Sequence, residues 1–289
     1  MIGVIETSIL FAFGAMLFWA FGDFFIQKCT RKIGNVESLA FIGLIGSILL
    51  LPFIISQFSS IFNFQNFLIL SVLGVITFVG AILNFEALKQ GKLSIIDVII
   101  ELELPVVIIL AFIFFKETLS LKQALLISLI FTGIVLVSTK SFSHWKTRFE
   151  KGIILAFLAA IGMGIIDFLT SFSSRQISPI MAIWFPWIIF TLFCFIFILK
   201  GKGFKRFLKD GWKHKWIVLA MGIFDTLAWF LYAFATLKNE VAIVTAITES
   251  YPALAICLGV WFNKEKINWH QWLGAVLALL ASIALAFLI

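Results

Sequence analysis

The chain has 289 residues, of which 62% are apolar and only 13% are charged, whereas soluble domains are about 45–50% apolar and about 25% charged. The remaining polar residues are too few to cover such an apolar interior, and lipid must therefore solvate much of the surface. The net charge of +7 does not indicate a nucleic-acid partner, because the Lys and Arg residues lie in short stretches between apolar runs rather than on one amphipathic face.

Ten apolar runs follow one another along the chain, each close to the roughly 20 residues that a helix needs to cross a bilayer. Backbone polar groups cannot stay unpaired in lipid, so each run is predicted to be a helix. The connections are too short to hold a folded soluble domain, and any function must lie among the helices. The predicted spans are residues 7–27, 38–56, 67–88, 93–115, 123–139, 153–171, 179–199, 216–237, 241–262 and 271–289.

The basic residues predict an orientation. About 18 of the Lys and Arg residues follow the first, third, fifth, seventh and ninth spans, and about 4 lie on the other side. Because basic loops stay on the cytoplasmic side, this bias places both termini outside. We expect a multi-pass protein of the plasma (inner) membrane.

The sequence also repeats itself. One constant shift places Glu101 on Glu249, and a slightly shorter shift places Asp23 on Asp167 in the first span of each half. Each half has five predicted spans, an odd number, so the second copy enters the membrane from the opposite side. Inverted repeats of this kind are typical of transporters, although duplication can also simply build a bundle. The predicted repeats are residues 1–140 and 141–289.

Several short motifs recur in the same order in the two halves. On these motifs the chain resembles the EamA branch of the drug/metabolite transporter superfamily. The resemblance implies an all-α fold of ten transmembrane helices around a central cavity, and transport of amino acids, other metabolites or drugs. The matching residues are Phe18-Trp19-Ala20, Ala87-Leu88, Pro105 and Lys116-Glu117, then Ala235, Pro252 and Lys264-Glu265; Met163-Gly164 departs from the family, which often has Trp there.

Acidic residues occur inside the predicted spans, where each costs at least about 2.5–3.5 kcal/mol at the helix centre. Basic residues are nearly absent from the spans, so few of these acids can be paired internally. The bundle therefore needs a wet cavity, protonated carboxyls, a cationic ligand or some mixture of these. The acids are Asp23, Glu86, Asp97, Glu101, Glu103, Asp167, Asp225 and Glu249.

The fourth and ninth spans carry the most informative acids. Asp97 and Glu101 are four residues apart and share a helix face, and Thr245 and Glu249 are their counterparts. In a continuous helix Glu103 lies about 200° round from Glu101, so it is expected to face elsewhere.

Prolines follow both glutamates. Pro105 is expected to free the carbonyl of Glu101, and Pro252 that of Thr248. Broken helices with free carbonyls and carboxylates build cation and substrate sites in transporters; a packing kink is the alternative. Because a carboxyl in apolar surroundings tends to hold its proton, we expect Glu101 or Glu249 to exchange a proton during transport.

Aromatic residues accompany the acid of the eighth span. Asp225 lies four residues before Trp229 and shares its face, and Trp19 and Tyr232 are candidates for the same cavity wall. An aromatic ring beside an acid suits an amine or a cationic ring. Packing of these aromatics is the alternative.

The sequence thus predicts a secondary transporter of an amino acid or a related polar or cationic solute, with H+ as a possible coupling ion and the lipid bilayer as its surroundings. There is no Gly-Lys-Ser/Thr loop for ATP. A flippase for lipids or lipid-linked sugars is an alternative. An intramembrane enzyme is another, but no nucleophile–base grouping supports it, and we expect no enzyme. We also expect no metal or other cofactor and a monomer, or a homodimer through small residues of the tenth span.

Overall fold

The computed structural model describes residues 7–90, 99–139, 151–201, 203–264 and 266–288, and every regular element in these ranges is helical. Nine helices there are long and apolar enough to cross a membrane, and Glu103–Phe115 is a shorter apolar helix. The predicted fourth span begins outside the described residues. The helices are α1 Thr7–Ile33, α2 Asn35–Ile54, α3 Phe64–Gln90, α4 Glu103–Leu110, α5 Leu121–Ser138, α6 Lys151–Gln176, α7 Pro179–Lys200, α8 Phe204–Lys213, α9 Lys215–Ala235, α10 Val241–Thr248, α11 Tyr251–Asn263 and α12 Trp269–Ala286.

Helix α8 lies in a basic stretch for which the sequence predicts only a connection between spans. It is too short to cross a bilayer, and its polar side chains are mostly exposed. Its apolar residue Phe207 is buried and stacks on Phe41 of α2, with ring centroids 4.2 Å apart. An amphipathic helix therefore joins α7 to α9.

The last helix of each half begins in the same way. At the start of α5 the Ser120 amide donates to the Gln123 side chain at 2.8 Å. At the start of α12 the Asn268 amide donates to the Gln271 side chain at 3.0 Å. The shift that relates Glu101 to Glu249 also relates these two caps, and both helices have 18 residues.

The irregular positions of the backbone repeat as well. A turn at residues 101–102 precedes α4, and a turn at residues 249–250 separates α10 from α11. Lys116 and Lys264 are the only non-glycine residues with positive φ in the described part of the chain. Each feature of the first half coincides with its counterpart in the second under one shift of the sequence, so both halves have the same local fold.

Helices of the first half (up to residue 139) pack mainly against helices of the second (from residue 151). Helix α1 packs on α9 and its counterpart α6 on α3, while α2 packs on α7 and α5 on α12. This exchange of counterparts is the pattern of an approximate two-fold axis.

Small residues allow close contact between α5 and α12. A Cβ atom on Gly133 would lie 2.7 Å from the carbonyl oxygen of Gly274 and 2.8 Å from the amide nitrogen of Ala278. Gln271 donates to the carbonyl of Val137 at 2.8 Å. Gly274 and Ala278, two of the small residues of the predicted tenth span, therefore face α5 of the same chain.

The outer surface is apolar. Large side chains such as Ile48, Phe112 and Leu280 are exposed on the outward faces of different helices, which a soluble monomer rarely tolerates over such an extent. Trp212 and Trp269 are exposed near helix ends, where Trp is enriched at membrane interfaces. Together with the nine apolar helices found among the described residues, this surface identifies a multi-pass membrane protein.

Candidate functional site

A cavity of about 160 Å³ lies between the two halves. The first half contributes residues of α1, α2, α3 and α4, and the second contributes residues of α6, α7, α9 and the turn into α11. Neither half alone encloses this space, because its wall alternates between them.

Five carboxyl groups line the cavity, and no Lys, Arg or His is among the described residues that line it. Asp23 is half-buried and the other four are buried. An unpaired buried carboxylate is strongly disfavoured, so these groups need protons, water or a cation. The five are Asp23, Glu103, Asp167, Asp225 and Glu249.

Three of these carboxyls form a compact cluster. One carboxyl oxygen from each of Glu103, Asp167 and Glu249 lies within 4.8 Å of the other two. Carboxylates this close together repel each other, so a proton or a cation shared within the cluster would stabilise it. By distance alone the three groups are close enough to share a cation, which no motif in the sequence indicates.

Aromatic rings cover one side of the carboxyl groups. The Trp19 ring lies 5.1 Å from Trp229, 5.5 Å from Tyr232 and 6.4 Å from Tyr251, measured between centroids. Tyr251 and Asp23 both line the cavity. Both tyrosines of the chain are therefore part of this wall or of its support.

Tyr232 supports the wall from behind. Its ring is fully buried, and its hydroxyl contacts the Thr245 hydroxyl at 3.0 Å and donates to the Asp167 carbonyl at 3.3 Å. Thr248 donates to the carbonyl of Thr245 at 3.1 Å. None of the side chains of Tyr232, Thr245 and Thr248 lines the cavity, so they hold α6, α9 and α10 together next to it.

The predicted acids separate into two groups. Asp23, Asp167, Asp225 and Glu249 line the cavity, as do Trp19 and Trp229. Asp97 lies outside the described residues.

Glu101 is buried but does not line the cavity, and the Ser138 hydroxyl of α5 donates to its carboxylate at 3.2 Å. Its carbonyl accepts from the Leu104 amide at 3.4 Å, which corrects the expectation that Pro105 leaves this carbonyl unpaired.

Glu103 and Glu101 face different directions, as expected, but Glu103 lines the cavity and Glu101 does not. This corrects the choice of Glu101 as a residue of the solute site. The helix is interrupted at residues 101–102, and α4 begins at Glu103. Pro105 is the third residue of α4 and Pro252 the second of α11. Both prolines therefore lie in a first helical turn, where the missing amide is best tolerated.

Counterparts in the repeat also meet at the cavity. The shift that relates Glu101 to Glu249 also pairs Glu103 with Tyr251. It pairs Thr77 with Asp225 as well, and all four of these paired residues line the cavity. The shorter shift of the first spans pairs Trp19 with Met163 and Asp23 with Asp167, which line it too.

Some lining residues were therefore within reach of the sequence. Reading the repeat position by position would have found Glu103, Tyr251 and Thr77, which the search for acids on one helix face missed. Asn84 is the counterpart of Tyr232 under the longer shift, and Tyr232 is a candidate for the cavity wall from the sequence. The side-chain oxygen of Asn84 is buried without a hydrogen-bond partner in the described residues, and Asn84 also lines the cavity.

Comparison with known proteins extends these observations. A sequence profile of the EamA-like transporter family matches the chain twice, over residues 6–139 and 150–287. An uncharacterized protein of Methanocaldococcus jannaschii is 28% identical over 134 residues, which are 46% of this chain and 97% of that protein. A solved crystal structure matches 98% of this chain and 96% of its own with a TM-score of 0.76 and 15% identity, a likeness that concerns the fold.

Proposed function

The chain belongs to the EamA-like transporter family, a family of membrane transporters of the drug/metabolite type, and from this premise we propose that it is a secondary transporter of a small polar or cationic metabolite, such as an amino acid. Transport proceeds by alternating access to the cavity between the halves. The single observation that carries this proposal is the set of five carboxyls around that cavity, with no basic residue among its described lining.

The solute class follows from charge, rings and size. A cationic group entering the cavity compensates the carboxylates, and Trp19 and Trp229 in its wall are aromatic rings of the kind that attracts cations. The cavity of about 160 Å³ is smaller than the roughly 300–1,000 Å³ of pockets for drug-sized ligands. These features favour a small metabolite over a lipid-linked sugar.

Proton coupling is the second part of the proposal. The carboxyl groups of Glu103 and Glu249 lie within 4.8 Å of each other, and because two carboxylates this close repel each other, one of them keeps a proton when no solute is bound. A cation that binds beside the two groups favours their ionised forms and releases this proton. Binding of solute and loss of a proton are thereby linked at the same atoms.

The arrangement proposed for the membrane is ten spans in two inverted repeats, residues 1–140 and 141–289. Counterpart helices run antiparallel where they meet: in α2 and α7, Gly43 lies at Thr191 and Gly46 at Trp187. Two copies of one unit with antiparallel counterparts support an inverted repeat. The relative from Methanocaldococcus jannaschii, which matches less than half of this chain over nearly its whole length, supports duplication of a single unit. The Lys and Arg bias supports extracytoplasmic termini in the plasma (inner) membrane.

The test is flux in proteoliposomes, with cationic, zwitterionic and neutral solutes, each with and without an imposed pH gradient. We expect flux of one or more small amines or amino acids that responds to the gradient, and loss of this response in Glu249→Gln. Asp210→Asn, which changes an acid of α8 that pairs with Arg206, is the matched control. Absence of solute flux together with movement of fluorescent lipid between leaflets would instead identify a flippase.

A further inference from the structure

One arginine ties several loops together at one end of the bundle. Arg175, next to the end of α6, pairs with Glu117 at 3.1 Å and donates to the carbonyls of Thr236 at 2.8 Å and Asn239 at 2.7 Å. Its guanidinium also lies over the ring of Phe115 at 4.3 Å. We name this end of the bundle, where α6 and α9 end and α10 begins, the Arg175 end.

These contacts join the two halves. Glu117 belongs to the first half, and its second oxygen accepts from the Ala242 amide of α10 at 3.4 Å. Asn239 donates to the Ser8 hydroxyl of α1 at 2.7 Å. The Glu117 side chain is only 9% exposed, so its ion pair is shielded from solvent more than a surface pair, and breaking it leaves a poorly solvated charge.

The repeat has a second arginine at the equivalent position. Arg31 is the counterpart of Arg175 under the shift that relates Asp23 to Asp167. It lies at the opposite end, because α1 and α9 run antiparallel: Gly22 lies at Asp225 and Gly14 at Leu231. We name this the Arg31 end. Arg31 is exposed and has no ion pair with any described residue; Glu265, the sequence counterpart of Glu117, lies outside the described residues.

Residues that line the cavity are more buried toward the Arg175 end than toward the Arg31 end. Thr170 and Ile26 are counterparts that both line the cavity, but Thr170, toward the Arg175 end, is buried, and Ile26, toward the Arg31 end, is half-buried. Asp167 and Asp23 differ in the same way. The cavity is thus more accessible toward the end whose arginine has no ion pair with a described residue.

We propose that the Glu117–Arg175 ion pair is the closed gate at one end of the transport path, and that Arg31 closes the opposite end when the halves exchange conformations. This inference rests on the alternating access of the proposed function. In a two-fold repeat the second state is obtained when each half adopts the other's conformation. Arg175 then becomes exposed, and Arg31 becomes buried at its own end.

The experiment measures access to the cavity from each side of the membrane. Cys29, Cys194 and Cys257 are replaced by alanine, and a reporter cysteine is introduced as Thr170→Cys or Ile26→Cys. A membrane-impermeant thiol reagent is applied to either face of oriented vesicles, with no solute and no pH gradient. Each reporter is combined with Glu117→Gln, with Arg31→Gln, or with the control Arg206→Gln.

We expect Glu117→Gln to increase labelling of Thr170→Cys from the Arg175 end by roughly three- to tenfold, the effect of one partly buried charge pair. Labelling of Ile26→Cys from the Arg31 end should fall at the same time, because a protein open at the Arg175 end is closed at the Arg31 end. Arg31→Gln should change both reporters in the opposite direction, and since Arg31 is exposed this variant should fold normally. Arg206→Gln should change neither.

Unchanged labelling in Glu117→Gln and Arg31→Gln would overturn the gate, as would a rise of both reporters together. Because labelling is read without solute or proton gradient, failure of the gate is distinguishable from failure of the proposed function. If labelling of the two reporters changes reciprocally but no solute flux is found, the gate is supported and the transporter proposal is overturned. If solute flux is found but labelling does not change reciprocally, the transporter proposal is supported and the gate is overturned.

Discussion

The carboxyl groups of Glu103 and Glu249 lie within 4.8 Å of each other, although they come from different repeats and from non-equivalent positions. Glu249 follows α10 at the turn of residues 249–250, and Glu103 is the first residue of α4. Both broken helices thus place a carboxyl in the wall of the cavity.

The first prediction concerns the glutamates of the first repeat. Glu103→Gln can still form a hydrogen bond but cannot exchange a proton, so we expect the response of solute flux to a pH gradient to disappear. Glu101→Gln is the matched control two residues away, because Glu101 contacts Ser138 instead of the cavity. Flux measured in proteoliposomes at several pH gradients distinguishes them, and the reverse result would assign proton exchange to Glu101.

The same two glutamates mark the limit of prediction from the sequence. Hydropathy and the repeat predict the membrane helices, and the cost of charge in lipid selects Asp23, Asp167 and Asp225, which do line the cavity. The spacing of Glu101 and Glu103 correctly predicts that they face different directions. It does not predict which of the two faces the cavity, because that depends on how this helix packs against the other half.

Local composition limits the prediction of α8 in a similar way. Seven basic residues between 200 and 215 dominate this stretch, and by themselves they indicate membrane orientation. The packing of Phe207 on Phe41 of α2 and on Phe195 of α7 depends on tertiary structure, which local composition does not show.

The second prediction tests the aromatic wall. Trp19→Leu keeps an apolar side chain but removes the ring, so the concentration for half-maximal flux of a cationic solute should rise by about 2- to 30-fold, the range for a cation–π contact of about 0.5–2 kcal/mol. Flux of a neutral solute should change little. Trp212→Leu, at an exposed position beside Lys215, is the control. An equal loss for both solutes would mean that Trp19 only fills space.

The third prediction concerns the contact between α5 and α12. In Gly133→Ala the new methyl group would meet backbone atoms of Gly274 and Ala278 at 2.7 and 2.8 Å, which side-chain rotation cannot relieve. We expect a loss of about 1–3 kcal/mol in stability, measured as a lower melting temperature in detergent. Gly22→Ala is the control, because its methyl group would lie 3.6 Å from the nearest atom. Equal melting temperatures for the two variants would contradict the close packing described here.

The last prediction is a pH dependence at the Arg175 end, where Glu240 precedes α10. Burial and the nearby carboxylate of Glu117 raise the pKa of Glu240 above its ordinary value, although Arg175 opposes this shift. A raised pKa in the folded protein means that the ionised form is less favourable there than in the unfolded chain. The contribution of Glu240 to stability is therefore complete below its unfolded pKa, about 4.3, and is lost as the pH rises through its folded value.

Glu240→Gln is neutral at every pH, so it should raise the melting temperature in detergent at neutral pH and leave it unchanged at about pH 4. The effect should be modest, because the side chain is only partly buried and solvent screens its charge. Asp210→Asn controls for the loss of any one acidic charge. A variant that lowers the melting temperature at neutral pH would mean that attraction to Arg175 and to the start of α10 outweighs repulsion from Glu117.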